Sequence, residues 1–477
     1  MATVGYGTGA ALGIGPEVTA GTGVSPSVWL PFLTESIKGT RPTVSSGTIT
    51  GDRSVYRRQA GVRSAAGDFS MDVDGANFGL PFHYWNGAAS GAKSTAAIAG
   101  RQSTAPSLSP ASSGTIPDGV YYVNAAAVFE RTIDGALFVL PTSSNSSSVT
   151  LGTGNNKIAV TLGNNPSGLT PPTGFTYAGT AIYRTVAGGS TYYLAAYISG
   201  TTNTITLDGT TEGDLQDGTG GNELIAPIPA ATTIYRHVFT RAFTPGENPL
   251  PAFSTTVMKD NDYAERYLLC RMNTFELTVG EGNSPVQCKF GVLARDFERI
   301  ANPSPSLTHL QKFMSWQAQI AVDGVGEATL EGVSLSGTNN CELVPGLSGQ
   351  PRMRDVGRGQ REVTGTLTRG FENHDFWDRM RGDCCQQKFD LTLYANGQSV
   401  VLPTASACYC FESADGHVDP FQYGMIVEAF QCSLSEAGAN VGGPGRMLEQ
   451  INFSTEVDSG TGTELRLTLF NLTSAYA

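Results

Sequence analysis

Charge is scarce in this sequence, and positive charge is the scarcest. Of 477 residues 15% are charged, and 30 Lys+Arg against 42 Asp+Glu leave a net charge of −12. A protein that grips nucleic acid needs clustered cations in excess, so this balance argues against that class. No run approaches the ~20 apolar residues of a membrane span. No basic residue precedes Lys38, and Pro16 and Glu17 break the small-residue stretch Gly5 to Gly23. A secretory start is therefore not expected. Cysteine is missing before Cys270; the eight present are Cys270, Cys288, Cys341, Cys384, Cys385, Cys408, Cys410 and Cys432. Vicinal and one-apart spacings do not fit a zinc knuckle, and reduced thiols of a protein folding in a cytoplasm are expected. Histidine is rare as well: His83, His237, His309, His374 and His417 sit in separate segments, with no His-Glu-x-x-His pattern.

What the chain has in quantity is Gly (58), Pro (25), Ser and Thr. That composition favours short strands joined by turns, and the length suggests about three domains. Residues 1–26 read as an aperiodic Gly/Thr/Ala arm that orders only against something else. From Val62 to Asp74 apolar and polar residues alternate, the pattern of a half-buried strand. A Ser/Ala/Gly/Pro linker near Ala89 to Pro117 opens a separate β-patterned region, with strands expected over 119–131, 135–140, 148–151, 157–162, 181–185, 192–198 and 203–207. Thr180 to Leu194 and Gly119 to Ala125 resemble strands of fibronectin type III modules. An immunoglobulin-like or fibronectin-like sandwich with its own core is expected over 105–230.

After Ala231 the strand pattern of the first hundred residues resumes. Gly51, Gly61, Arg63, Gly67 and Phe78 recur as Gly349, Gly359, Arg361, Gly365 and Phe376, each 298 residues later. Because 298 is even, Ala65, Phe69 and Val73 map onto Val363, Leu367 and Phe371 on the same strand face. Short helices are expected after each strand, near 79–85 and at 374–380 behind an Asn373 cap. The reading is mainly β: two tandem sandwich or barrel domains with short helices, 27–100 with 232–305 and then 306–477, and the 105–230 sandwich inserted into the first.

No catalytic constellation emerges, so enzyme, cofactor and metal expectations are all negative. Asp72-x-Asp74-Gly75 starts like a calcium loop but lacks the later bidentate Glu. The one repeating charge cluster is Arg53, Arg57, Arg58 and Arg63 against Arg352, Arg354, Arg358 and Arg361. These are expected at an interface, paired to carboxylates of a neighbouring copy.

Trp29-Leu-Pro-Phe-Leu-Thr-Glu-Ser-Ile37, Gly61-Val-Arg63 and Gly67-Asp-Phe-Ser-Met-Asp-Val73 resemble the opening of tail-tube proteins of long-tailed, non-contractile bacteriophages. Cys270-Arg-Met-Asn-Thr-Phe-Glu-Leu-Thr-Val279, Arg361-Glu-Val-Thr-Gly-Thr-Leu367 and Glu464-Leu-Arg-Leu-Thr-Leu-Phe-Asn471 resemble later strands of that family, in the family's order. The resemblance implies a virion protein made in the host cytoplasm that stacks in rings around passing DNA. Its implied partners are further copies of itself, a tape-measure protein, and terminator and tip proteins. Six β domains around each ring, two per chain, imply a trimer. Asp68, Asp72, Asp74 and Glu362, with Glu276, lie opposite the apolar parity of their strands and are expected to line the lumen. The alternative is a surface-binding module, an adhesin or head-decoration protein acting through the insert.

Overall fold

The structure, a computed structural model, describes residues 9–45, 58–87, 93–98, 105–142, 147–162, 171–208, 226–229, 231–241, 250–259, 263–308, 310–327, 329–347, 349–381, 387–401, 409–413, 415–439 and 446–476. Ser64–Asp72 is a strand in which Ala65, Phe69 and Met71 are buried while Asp68 and Asp72 keep contact with solvent. One side pairs antiparallel with Gln287–Ile300, which forms a long hairpin with Ala264–Val279. The other side pairs with Thr34–Glu35 and Lys38–Thr40.

The second half repeats this construction. Glu362–Gly370 starts and ends 298 residues after Ser64–Asp72. It pairs with Leu330–Thr338 and with Leu448–Ser454, which in turn pairs with the end of Gln422–Ala439. Register is conserved as well as order. Lys38 opposite Ala66 becomes Ser336 opposite Thr364, and Val44 opposite Gln59 becomes Glu342 opposite Gly357, each pair moved by 298. Further along, the offset is 162. Leu269 (φ 48) and Gln431 (φ 50) are left-handed residues at matching bulges, each followed by a buried cysteine, Cys270 opposite Phe253 and Cys432 opposite Phe389. In both places a carboxylate accepts the N–H of the strained residue: Glu17 from Leu269 at 2.9 Å and Asp390 from Gln431 at 2.8 Å. Tandem β domains are therefore present, each with its short helix, Gly79–Asn86 and Asp375–Arg381. Asn373 accepts the Asp375 N–H at 3.3 Å, as a cap should.

The expected N-terminal arm is instead a strand. Ala11–Pro16 lies between Val28–Leu30 and Phe253–Met258, with Leu12 and Ile14 fully buried. Glycine hid it from pattern reading, yet glycine is what the site needs: a Cβ on Gly13 would lie 2.6 Å from Pro26. The core beneath both copies is aromatic. Phe82 and Trp85 of the first helix pack on Phe275 with centroids 5.2 and 4.9 Å away.

The inserted sandwich has the expected strands at Gly119–Arg131, Leu137–Val139, Ser147–Leu151, Lys157–Thr161, Phe175–Thr185, Tyr192–Ser199 and Thr204–Leu207, plus Ser107–Ala111. Two sheets enclose a small core around Tyr121, Val123, Ile158 and Ile182. It is less self-contained than its linkers imply. Leu137–Val139 pairs in parallel with Gly416–Pro420, so the hairpin Phe411–Ser413 and Gly416–Pro420 from the second half extends its sheet. Phe129 and Phe138 belong to the same buried cluster as the tandem domains.

Candidate functional site

The two copies meet edge to edge. The outer half of Ala264–Val279 pairs with Leu330–Thr338, from Thr274 opposite Thr338 to Val279 opposite Val333. One antiparallel sheet thus runs from Lys38–Thr40 through both copies to the end of Gln422–Ala439. Strand alternation divides its faces. Phe69, Phe290, Phe275, Leu277, Leu335, Leu367 and Phe453 enter the core. The opposite face is polar across both copies, with Ser336, Thr338, Thr364, Thr366 and Asn452 continuing the row that Asp68 and Asp72 begin.

Asp68, Asp72, Glu276 and Glu362 all lie on this polar face, although they come from different strands. Lys289 sits among them, 3.2 Å from Asp68. Glu436 extends the acidic row at the far edge, and Lys38 occupies the near edge. Sequence reasoning missed Lys38, Lys289 and Glu436. The alternation of Cys288, Phe290 and Val292 around Lys289 was the available signal.

Asp74 is a correction. Strand parity places it towards solvent, but it is fully buried, because the strand has ended at Asp72 and the chain has turned. Its carboxylate accepts the N–H groups of Ala76 and Asn77 and the Asn77 amide, and pairs with Lys312 at 2.9 Å. The lone pairs that a cation would need are spent on shaping this turn.

Arg361 is a second correction. Its side chain is buried, 2.9 Å from Glu464 and 4.0 Å from the Trp85 ring centroid, and it donates to Asn86. Burial lowers its guanidinium to about 10, against the opposing pull of Glu464. An arginine spent inside its own chain is not available to a neighbour. The Arg63 side chain, partly exposed, pairs with Asp296 at 3.1 Å, and its backbone N–H donates to the Pro351 carbonyl. Arg354 and Arg358 are exposed on either side of the strand Asp355–Gly357, Arg352 is half-buried beside Arg63, and Arg58 is exposed at the start of the strand Arg58–Ala60. Arg53 and Arg57 lie outside the described residues.

Among the described residues no group of three His, Cys, Asp or Glu is arranged to hold a metal. His237 is fully buried and bonded to Thr95, Asn471 and Thr473. Cys270, Cys288 and Cys432 are buried free thiols pushed upward by desolvation. Such thiols are inert packing groups. Cys384, Cys385, Cys408 and His309 lie outside the described residues. What the arrangement offers is a surface: a two-copy sheet with a dry face, an acidic wet face and two edges.

A family model described as phage tail tube protein matches residues 7–220 and 227–455 of this chain. No curated protein matches it.

Proposed function

The chain belongs to the phage tail tube protein family, and from that premise we propose that it builds the DNA-conducting tube of a long, non-contractile tail as a trimer of two-copy chains. Its role is structural: proteins of this family assemble into the tube of the virion tail. The observation that carries the trimer and the DNA-conducting bore is the sheet that crosses the copy junction without a break, buried on one face and acidic on the other. Closing such a sheet on itself removes its open edges.

Stoichiometry follows from width. Each copy supplies four strand positions to the sheet, so three chains give about 24 strands. At about 4.8 Å spacing and about 40° tilt the backbone barrel is then ~48 Å across, less ~10 Å of side chain. Six chains would double that, far beyond what one duplex requires. Asp68, Asp72, Glu276 and Glu362 would face the bore, where like charge keeps the phosphate backbone from adhering. The inserted sandwich stands on the outer wall, and tape-measure, terminator and tip proteins are the remaining partners. Cryo-electron microscopy of the assembled protein is the test. Threefold symmetry with six pseudo-equivalent β domains and these carboxylates in the lumen is expected; true sixfold symmetry, or the acidic face on the outside, would overturn it.

A further inference from the structure

Each copy carries a β-hairpin beyond its edge strand, and the two hairpins are treated differently. In the second copy, Glu342–Val344 and Asp355–Gly357 fold over the first copy. Val356 is buried, Arg271 lies 3.7 Å from Asp355, and the Cys341 N–H donates to Asn273 at 2.7 Å. In the first copy, Thr43–Ser45 and Arg58–Ala60 keep the same register, yet all six residues are exposed, Val44 at 59%. The strand beside that hairpin, Lys38–Thr40, is exposed as well and pairs only with Ser64–Asp72 among the described residues. At the far end of the sheet, Glu436–Ala439 pairs only with Leu448–Ser454 among the described residues.

These two edges are the halves of the internal junction. Moving Leu330–Thr338 back by 298 gives residues 32–40, and moving Thr274–Val279 forward by 162 gives residues 436–441. We propose that Glu436–Ala439 of one chain pairs antiparallel with Lys38–Thr40 of a second copy, with Glu436 opposite Thr40, Ala437 opposite Gly39 and Gly438 opposite Lys38, and that the bare first-copy hairpin then seats on the second chain. The proposal rests on the tube reading and supplies the chain-to-chain contact that the reading lacks. Charge agrees with it: Glu436 and Lys38 share the polar face and stand diagonal to each other across the junction, close enough to attract. The same register one residue out of step would put Lys38 opposite Ala437 and turn it into the core.

In this register Lys38 and Gly438 form a non-hydrogen-bonded pair, about 4.5 Å apart at Cα and within disulfide range. A Cβ on Gly438 meets nothing within 4 Å. The test is the full chain carrying Lys38→Cys with Gly438→Cys, oxidised mildly beside the unsubstituted chain and a one-residue slip control, Lys38→Cys with Ala437→Cys. Chain assembly is followed separately by negative-stain microscopy. A covalent trimer at least tenfold above both controls is expected. Rings or tubes that do not cross-link, or that cross-link better in the slipped pair, overturn this register while leaving the tube reading intact; a chain that stays monomeric overturns both. Lys38→Glu and Glu436→Lys should each reduce assembly, and the double exchange should restore it.

Discussion

At the scale of single residues, burial decides what parity alone leaves open. Parity groups Asp68, Asp72, Asp74 and Glu362 together, but parity holds only while a strand continues, and Asp74 lies past its end. Arg361 sits among exposed arginines in sequence, yet it is drawn inward by Trp85 and Glu464, which stand 276 and 103 positions away in the chain. No local pattern encodes such a contact. His83 shows the same effect in its titration. Burial in the first helix, with Lys93 nearby, lowers its pKa from 6.5 to about 4. Between those values the unfolded chain binds the proton and the folded one does not, so stability is full above pH 6.5 and falls as pH drops towards 4. The loss is about 3 kcal/mol from this group. His83→Gln should flatten that limb: the difference in melting temperature between pH 7 and pH 4.5 shrinks relative to the unsubstituted protein. An unchanged difference would show that His83 titrates normally in the fold.

At the scale of elements, the even offset of 298 was legible because amphipathic strands write their period into sequence. The apolar residues Ala65, Phe69, Val363 and Leu367 are all buried where that parity places them. Gly67 and Gly365, one of the three glycine pairs in the repeat, have separate steric reasons. A Cβ on Gly67 would lie 2.5 Å from the Ile37 backbone, and one on Gly365 would lie 2.2 Å from the Phe453 ring. Gly67→Ala meets main chain that cannot rotate away, so it should separate Lys38–Thr40 from its neighbour and cost about 2 kcal/mol, read by denaturant unfolding. Gly365→Ala meets a ring already held in the core and should cost a similar amount; a neutral result at both sites would remove the steric explanation for this pair. The offset of 162 was not legible. It links Leu269 to Gln431 and Thr274 to Glu436 through backbone conformation and bulge position, and the side chains there differ. The strand Ala11–Pro16 escaped for a related reason, since its glycines carry no apolar period.

At the scale of the molecule, the inserted sandwich joins the tandem domains by more than its linkers. The pairing of Leu137–Val139 with Gly416–Pro420 crosses 281 positions of chain, Leu137 to Val418, a contact no window of sequence contains. Beneath it lies an aromatic cluster in which Phe175 stands 5.7 Å from Phe421 and 5.5 Å from Phe470, and Phe138 stands 6.1 Å from Phe421. Each such ring buries on the order of 150 to 250 Å², so removing the insert uncovers a contiguous apolar patch of several hundred Å² on the second copy, a size that drives association. Excising residues 105–230 with a short bridging linker should therefore give a chain that aggregates or melts well below the intact protein, as followed by sedimentation and thermal unfolding. The same excision carrying Val418→Thr and Phe421→Gln should recover soluble protein, because the patch and not the missing sandwich is the defect. If the plain excision instead stays soluble and builds normal tubes, the sandwich is an independent ornament and the shared core contributes nothing the wall depends on.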